Sequence, residues 1–311
     1  MDMKNLFIAL LGLIALAACS NEADVATNEN EGRVPIRLQC GQKAITRATA
    51  EIQGSQFDPG EQVNVYITEN NNGKTVYTPM VYQITGIDAV TNLGTMTPSG
   101  NIYPYYPTSG NSVKIQSLYP KSVTKSTTTF AVKYDQIEDG NYMASDLMYA
   151  EIAEAESTTP VQTLTYNHLL SKVSVQLVKG TGGPELSGAS VQICDVDRAI
   201  AFSGETGVLG SSFSNQTYPR GAVTVTGNSG SNVRSVIIPP QQRQPGKLIK
   251  ILLASNDIIY YSLNQTMNFQ SGHAYKFVIT VNQNNLEVTH TVSDWNNLEG
   301  EQNIYTDTPS F

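Results

Sequence analysis

Short runs in which apolar and polar residues alternate, each closed by Gly, Asn or Pro, recur along the chain and confine it to β-structure. Gln62-Val63-Asn64-Val65-Tyr66-Ile67, Val113-Lys114-Ile115-Gln116-Ser117-Leu118-Tyr119 and Tyr275-Lys276-Phe277-Val278-Ile279-Thr280-Val281 are three of them. A period of two sends successive side chains to opposite faces, so each run can bury one face against a core. Residues 76–77, 81–84, 173–178, 189–193, 235–238, 247–253, 258–263 and 286–292 also read as short strands, rich in β-branched and aromatic residues. Asn70-Asn71-Asn72-Gly73 reads as a turn, because Asn and Gly tolerate positive φ. Tyr103-Pro104-Tyr105-Tyr106-Pro107 reads as a proline-pinned loop, residues 151–159 as an acidic loop, and residues 204–232 as Gly/Ser/Asn-rich with short strands at most. No segment sustains a helical period; residues 135–142 offer a turn. The fold class is therefore all-β, and 311 residues suit two β-sandwich domains in tandem, residues 33–166 and 167–311.

The first 32 residues follow different rules. Lys4 precedes the apolar run Leu6 to Leu16, which is shorter than the roughly 20 residues a transmembrane helix needs. A charge followed by a short apolar core is the layout of an export signal, here residues 1–18. Leu16-Ala17-Ala18-Cys19 resembles the bacterial lipobox, in which small residues let a peptidase reach the backbone and the cysteine thiol accepts a diacylglycerol. Cys19 is thus the expected lipidation site, and the acylated protein would be anchored to a membrane without spanning it. Residues 19–32, rich in Asn, Glu and Asp, read as a flexible tether.

Composition narrows the partners. A net charge of −8 lacks the basic footprint that nucleic acid requires. Tyr outnumbers Phe, 16 to 8, which suits a secreted β-protein. With Cys19 lipidated, Cys40 and Cys194 remain; they can form a bridge in an oxidising compartment or stay small buried side chains. The chain holds no HExxH, CxxC, phosphate loop or GxSxG elbow, so no catalytic residue and no cofactor is expected. His168, His273 and His290 read as structural. Asp195-Val196-Asp197 has too few oxygen ligands for a calcium site, and a solvated turn is expected there.

Residues 34–50 bear on function. Val34, Ile36, Leu38 and Cys40 alternate with polar residues, as expected of a strand that fills four pockets on one face. Pro35 cannot donate to a ladder, which favours an edge or first strand. Arg47 then stands among small residues, Thr46, Ala48 and Thr49. Such a strand can be cut away at Arg47–Ala48 without cutting the domain; the plainer reading is a first strand followed by a surface loop.

Downstream blocks add a resemblance. Asp146-Leu147-Met148-Tyr149-Ala150 followed by Leu164-Thr165-Tyr166-Asn167-His168-Leu169-Leu170-Ser171-Lys172-Val173 resembles the mid-chain signature of the fimbrillin family of Bacteroidetes. Ile237-Ile238-Pro239-Pro240-Gln241, the block 271–280, and the ending Val288-Thr289-His290-Thr291-Val292-Ser293-Asp294-Trp295 resemble later blocks in the same order. The resemblance implies two transthyretin-like sandwiches and a pilus subunit delivered to the outer membrane as a lipoprotein. It also implies that an arginine-specific protease removes the first strand, residues 33–47, and that a strand from another pilus subunit fills the groove. Arg47 is the position that matches; Arg33 precedes the strand and Arg37 lies within it. Residues 296–311 depart from a good donor, since their alternation is poor and Pro309 interrupts it. Stalk, tip and adhesive accessory subunit therefore all stand, each with a host or bacterial surface ligand as a further partner. The alternative is a monomeric surface lipoprotein that stacks glycans on Tyr103, Tyr105 and Tyr106, although these rings equally suit packing at a sandwich edge.

Overall fold

The alternating runs become strands whose inward faces meet at the centre of each half of the chain. The computed structural model describes residues 32–42, 57–71, 73–137, 140–224, 226–227, 233–295 and 303–307. From Arg33 onward these belong to one compact unit. In the first half the strands are β1 (Leu38–Gln42), β2 (Gln62–Glu69), β3 (Thr75–Ile87), β4 (Gly94–Pro98), β5 (Val113–Tyr119), β6 (Thr129–Ala131), β7 (Met148–Ala155) and β8 (Gln162–His168). Seven of them form a closed hydrogen-bonded ring in the order β1-β4-β3-β2-β5-β7-β8. Every pair in the ring is antiparallel except β1 with β8, which run parallel. Inside lie Val63, Val65, Ile67, Ile84, Ile115, Leu164 and Tyr166, each at most 1% exposed.

Two sequence expectations change here. Residues 151–155, expected in a loop, complete β7: Ile152 pairs with Ile115 and the buried Ala155 with Val113, while Glu151 and Glu154 project outward. The acidic residues occupy one face of a strand and do not mark a break. The first strand, expected at an edge or as the first of the domain, is the first in sequence but has neighbours on both sides in the ring.

The second half contains β9 (Ser171–Lys179), β10 (Ser190–Val196), β11 (Ala199–Ser203), β12 (Val208–Phe213), β13 (Gly221–Thr224), β14 (Thr226–Gly227) and β15 (Val233–Ile238). It continues with β16 (Gln241–Arg243), β17 (Gly246–Leu252), β18 (Ile258–Leu263), β19 (Met267–Phe269), β20 (His273–Val281), β21 (Leu286–Asp294) and β22 (Asn303–Asp307). A sheet β13-β10-β17-β18 and a sheet β14-β15-β9-β20-β21-β22 enclose a second core. Val191, Ile193, Ile249 and Ile251 of the former share it with Val173, Val175, Phe277 and Ile279 of the latter. This is sandwich packing, with the alternate residues of each strand meeting between the sheets.

A third cluster joins the halves. Tyr66, Leu118, Phe130 and Leu147 from the first half pack with Ile200, Phe202, Ile237 and Trp295 from the second. β6 pairs antiparallel with β11, and β12 extends that small sheet. Gln136, fully buried, donates from Nε2 to the Ile237 carbonyl at 2.8 Å and accepts from the Ile237 amide at 2.9 Å. A side-chain amide from the first half thereby satisfies backbone groups of β15 in the second.

Candidate functional site

The ring depends on β1 for closure. Leu38, Gln39 and Cys40 pair antiparallel with Met96, Thr95 and Gly94 of β4. On the other side Leu38 through Gln42 pair in parallel with Gln162 through Tyr166 of β8. Both edges of β1 are therefore satisfied by the barrel, and both barrel edges by β1. Ile36, Leu38 and Cys40 are 0%, 3% and 1% exposed and belong to the barrel core.

Val34 does not share that position. It is 43% exposed, which corrects the expectation of four pockets to three. The reason is register: β8 begins opposite Leu38, so residue 34 lies beyond the barrel mouth. There the chain crosses the 103–107 loop, bridged as Pro35 to Tyr105. The Ile36 amide donates to the Pro104 carbonyl at 2.7 Å and the Tyr106 amide to the Val34 carbonyl at 3.0 Å. Residue 35 need not donate in that bridge, so proline fits without costing a ladder bond.

The third pocket is shaped by an absent side chain. A Cβ built on Gly94 would fall 2.9 Å from Cys40 Sγ, so the thiol fills the space that glycine leaves. Burial pushes the Cys40 thiol up to about 12. Burial also raises the Glu61 carboxyl, against the opposing pull of the Tyr119 hydroxyl, which donates to it at 2.6 Å.

The tyrosines of the 103–107 loop are engaged by the same segment. The Arg37 guanidinium lies 5.7 Å from the Tyr103 ring centroid, and that of Arg33 lies 5.3 Å from Tyr105. Tyr106 is buried, and its hydroxyl accepts from Gln162 Nε2 at 2.8 Å. A cleft of about 350 Å³ beside them is lined by Arg33, Glu69, Lys74, Tyr77, Pro107 and Ser109, among others. The rings offered by the sequence as a sugar platform are thus covered by arginine or buried while residues 33–37 are in place.

Cys19, Arg47 and Ala48 lie outside the described residues. Cys40 and Cys194 are both free thiols, Cys40 on β1 in the barrel and Cys194 on β10 in the second half. Asp195 and Asp197 are not simply solvated. Arg220 binds both, at 2.8 and 3.1 Å, and Arg243 binds Asp195 at 2.8 Å. His168 is 1% exposed and held by Asp146. His273 contacts the Ser271 carbonyl at 2.8 Å, and His290 stacks on Phe277 with centroids 5.3 Å apart. The sequence reading missed β4 and β8, the two strands between which β1 sits; the Leu164–His168 alternation was a signal for β8.

A fimbrillin-like family model matches residues 46–295, most of the chain. The chain belongs to the fimbrillin-like family. The match starts beside Arg47 and ends at Trp295, leaving β1 outside it. A Bacteroides uniformis protein provisionally described as fimbrium subunit Fim1C is 21% identical to this fimbrillin-like chain, over 95% of the chain and 96% of the relative. Two crystal structures of proteins provisionally described as cell adhesion proteins, from Bacteroides uniformis and Bacteroides ovatus, share its fold. Their TM-scores are 0.67 and 0.66, at 17% and 16% identity, each covering 85% of this chain and 98% of its own. Membership of the fimbrillin-like family places this chain among fimbrial proteins of the cell surface.

Proposed function

We propose that this protein is a structural or adhesive subunit of a surface pilus, exported as an outer-membrane lipoprotein acylated at Cys19 and activated by cleavage at Arg47. Cleavage by an arginine-specific protease frees residues 33–47 from the body of the molecule, and a strand from another subunit takes the place of β1. The observation that carries this reading is that β1 alone completes the barrel, bonded to β4 on one edge and β8 on the other. Losing it exposes two rows of ladder groups and the space of Ile36, Leu38 and Cys40. Such a slot is a template for β-strand addition. At about 1.5 to 3 kcal/mol for each large apolar side chain buried, filling the pockets of Ile36 and Leu38 contributes several kcal/mol to holding whichever strand occupies the slot.

On this reading the precursor is monomeric because its own strand fills the slot. The body then comprises two transthyretin-like domains, residues 33–166 and 167–311, with residues 19–32 as the tether. The alternative, a monomeric lipoprotein that stacks glycans on Tyr103 and Tyr105, is disfavoured by the arginines already lying on those rings. The deciding experiment is N-terminal sequencing of the protein recovered from assembled fibres. A first residue of Ala48 is expected; Cys19 or a residue before Val34 as the mature start would overturn the activation mechanism.

A further inference from the structure

We propose that the slot closed by β1 selects a donor strand with two cationic side chains four residues apart and a small residue in its third pocket, and that this donor comes from a different subunit. The proposal rests on the donor-strand reading above and deepens it. Arg33 and Arg37 lie ahead of and among the pocket residues, on the extended segment bridged to the 103–107 loop. Four residues of extended chain span on the order of 13 Å, which sets the backbone separation of the two arginines. Each covers one tyrosine face, Tyr105 and Tyr103 respectively. An aromatic face carries negative potential and attracts a cation, while an acidic side chain placed there is repelled. When residues 33–42 leave, both faces open at the mouth of the slot. An incoming strand restores these contacts only if it brings cations to the same two places.

The third pocket adds a size limit. Cys40 stands opposite Gly94, and its Sγ already occupies the room a Cβ on Gly94 would need. A leucine or phenylalanine there overfills a packed core. Residues 296–311 of this chain contain Glu299, Glu301 and Asp307 and no Lys or Arg. Residues 303–307 of that stretch are, moreover, already paired with β21. The stretch that would be the natural homotypic donor therefore lacks both cations.

The test uses the full chain carrying Cys19→Ser, with a specific protease site replacing residues 44–48, cut and incubated with excess fluorescein-labelled peptides. Uptake is read by anisotropy. The peptide of sequence 33–42 should enter, and the same peptide with Arg33→Ala and Arg37→Ala should bind roughly tenfold more weakly. Replacing both arginines by Glu should weaken it further. A Cys40→Leu peptide should lose roughly tenfold or more. The 296–311 peptide should not exchange. In a protein carrying Tyr103→Leu and Tyr105→Leu the preference for arginine should fall to about one. Uptake of the 296–311 peptide as strong as that of 33–42 overturns the selectivity but leaves strand exchange standing. So does indifference to the arginines, or a preference that survives loss of both tyrosines. Failure of every peptide, including 33–42, overturns the donor-strand reading itself.

Discussion

The imidazole of His168 lies flat against the indole of Trp295, ring centroids 3.9 Å apart and planes 7° from parallel. Asp146 grips the imidazole Nδ1 with both carboxylate oxygens, at 3.0 and 2.9 Å, and the Lys172 ammonium lies 5.8 Å from the indole centroid. His168 ends β8, the strand against which β1 rests, whereas Trp295 follows β21 in the second half. The stack therefore fastens the barrel wall that holds β1 to the sandwich beyond it. All three residues that carry it, Asp146, His168 and Trp295, are at most 1% exposed, so this pair serves packing and is closed to a substrate.

Truncating Trp295 to Ala should cost about 3 to 5 kcal/mol in urea unfolding, as expected for a buried aromatic. A double-mutant cycle with His168→Ala should return a coupling of about 0.5 to 1.5 kcal/mol. Additive effects would show that the two rings merely lie side by side.

The difference between Val34 and Ile36 gives a second expectation. Ile36→Ala should cost about 2 to 5 kcal/mol in the intact precursor, because it empties a pocket in the barrel core. Val34→Ala, at an exposed position beyond the barrel mouth, should stay within about 0.5 kcal/mol of the parent. Equal effects at the two sites would contradict the register of β1.

Much of this arrangement was visible in the residues, and the rest had a physical reason to be hidden. Alternation at Val63, Val65 and Ile67 or at Phe277, Ile279 and Val281 marks strands directly, since one buried face imposes the period. The same rule placed Ile36, Leu38 and Cys40 inward correctly. It failed at Val34 because periodicity says which side a residue faces and not where the covering strands stop. Pro35 allowed an edge position as well as a first strand for β1, because it was read as part of the ladder, while the chain uses Pro35 just ahead of it. Ring closure by the parallel β8 depends on a contact about 125 residues away in sequence, and no local pattern encodes that (Leu38 to Gln162). The arginine stacks on Tyr103 and Tyr105 follow from the same unseen bridge.

Cys40 should report the state of the slot. Its folded value, raised from 9.0 to about 12, means that the unfolded chain loses the thiol proton first. The contribution to stability is therefore fully present below about pH 9 and is lost as pH rises toward 12. A Cys40→Ala variant should show a shallower loss of stability across that window. At pH 8 a thiol reagent should modify Cys194, which is partly exposed, and spare Cys40 until β1 leaves the barrel. Equal labelling of the two in the intact precursor would show that β1 is not seated.

The anchor is tested separately. On the proposed lipoprotein reading, Cys19→Ser should abolish acylation and leave the precursor unprocessed or mislocalised, because a hydroxyl would not replace the thiol as lipid acceptor. Incorporation of a labelled fatty acid into the variant would refute the lipobox assignment.

In the proposed mechanism, cleavage at Arg47 is the step on which assembly depends. Limited trypsin treatment of the purified, unlipidated precursor should cut there before it cuts the barrel or the sandwich, since a linker opens at small free-energy cost and a packed core does not. The cut alone should not expel β1. Its ladder bonds to β4 and β8 and the burial of Ile36, Leu38 and Cys40 persist until another strand competes. Polymerisation of the clipped protein should accordingly be slow by itself and accelerate when a subunit with a suitable donor strand is added. Arg47→Ala should leave folding and thermal stability unchanged, since residue 47 lies outside β1 and its ladders, yet keep the protein monomeric after the same protease treatment. Assembly of that variant at the parental rate, or resistance of the parent to cutting at Arg47, would remove proteolysis as the trigger and favour the monomeric lipoprotein.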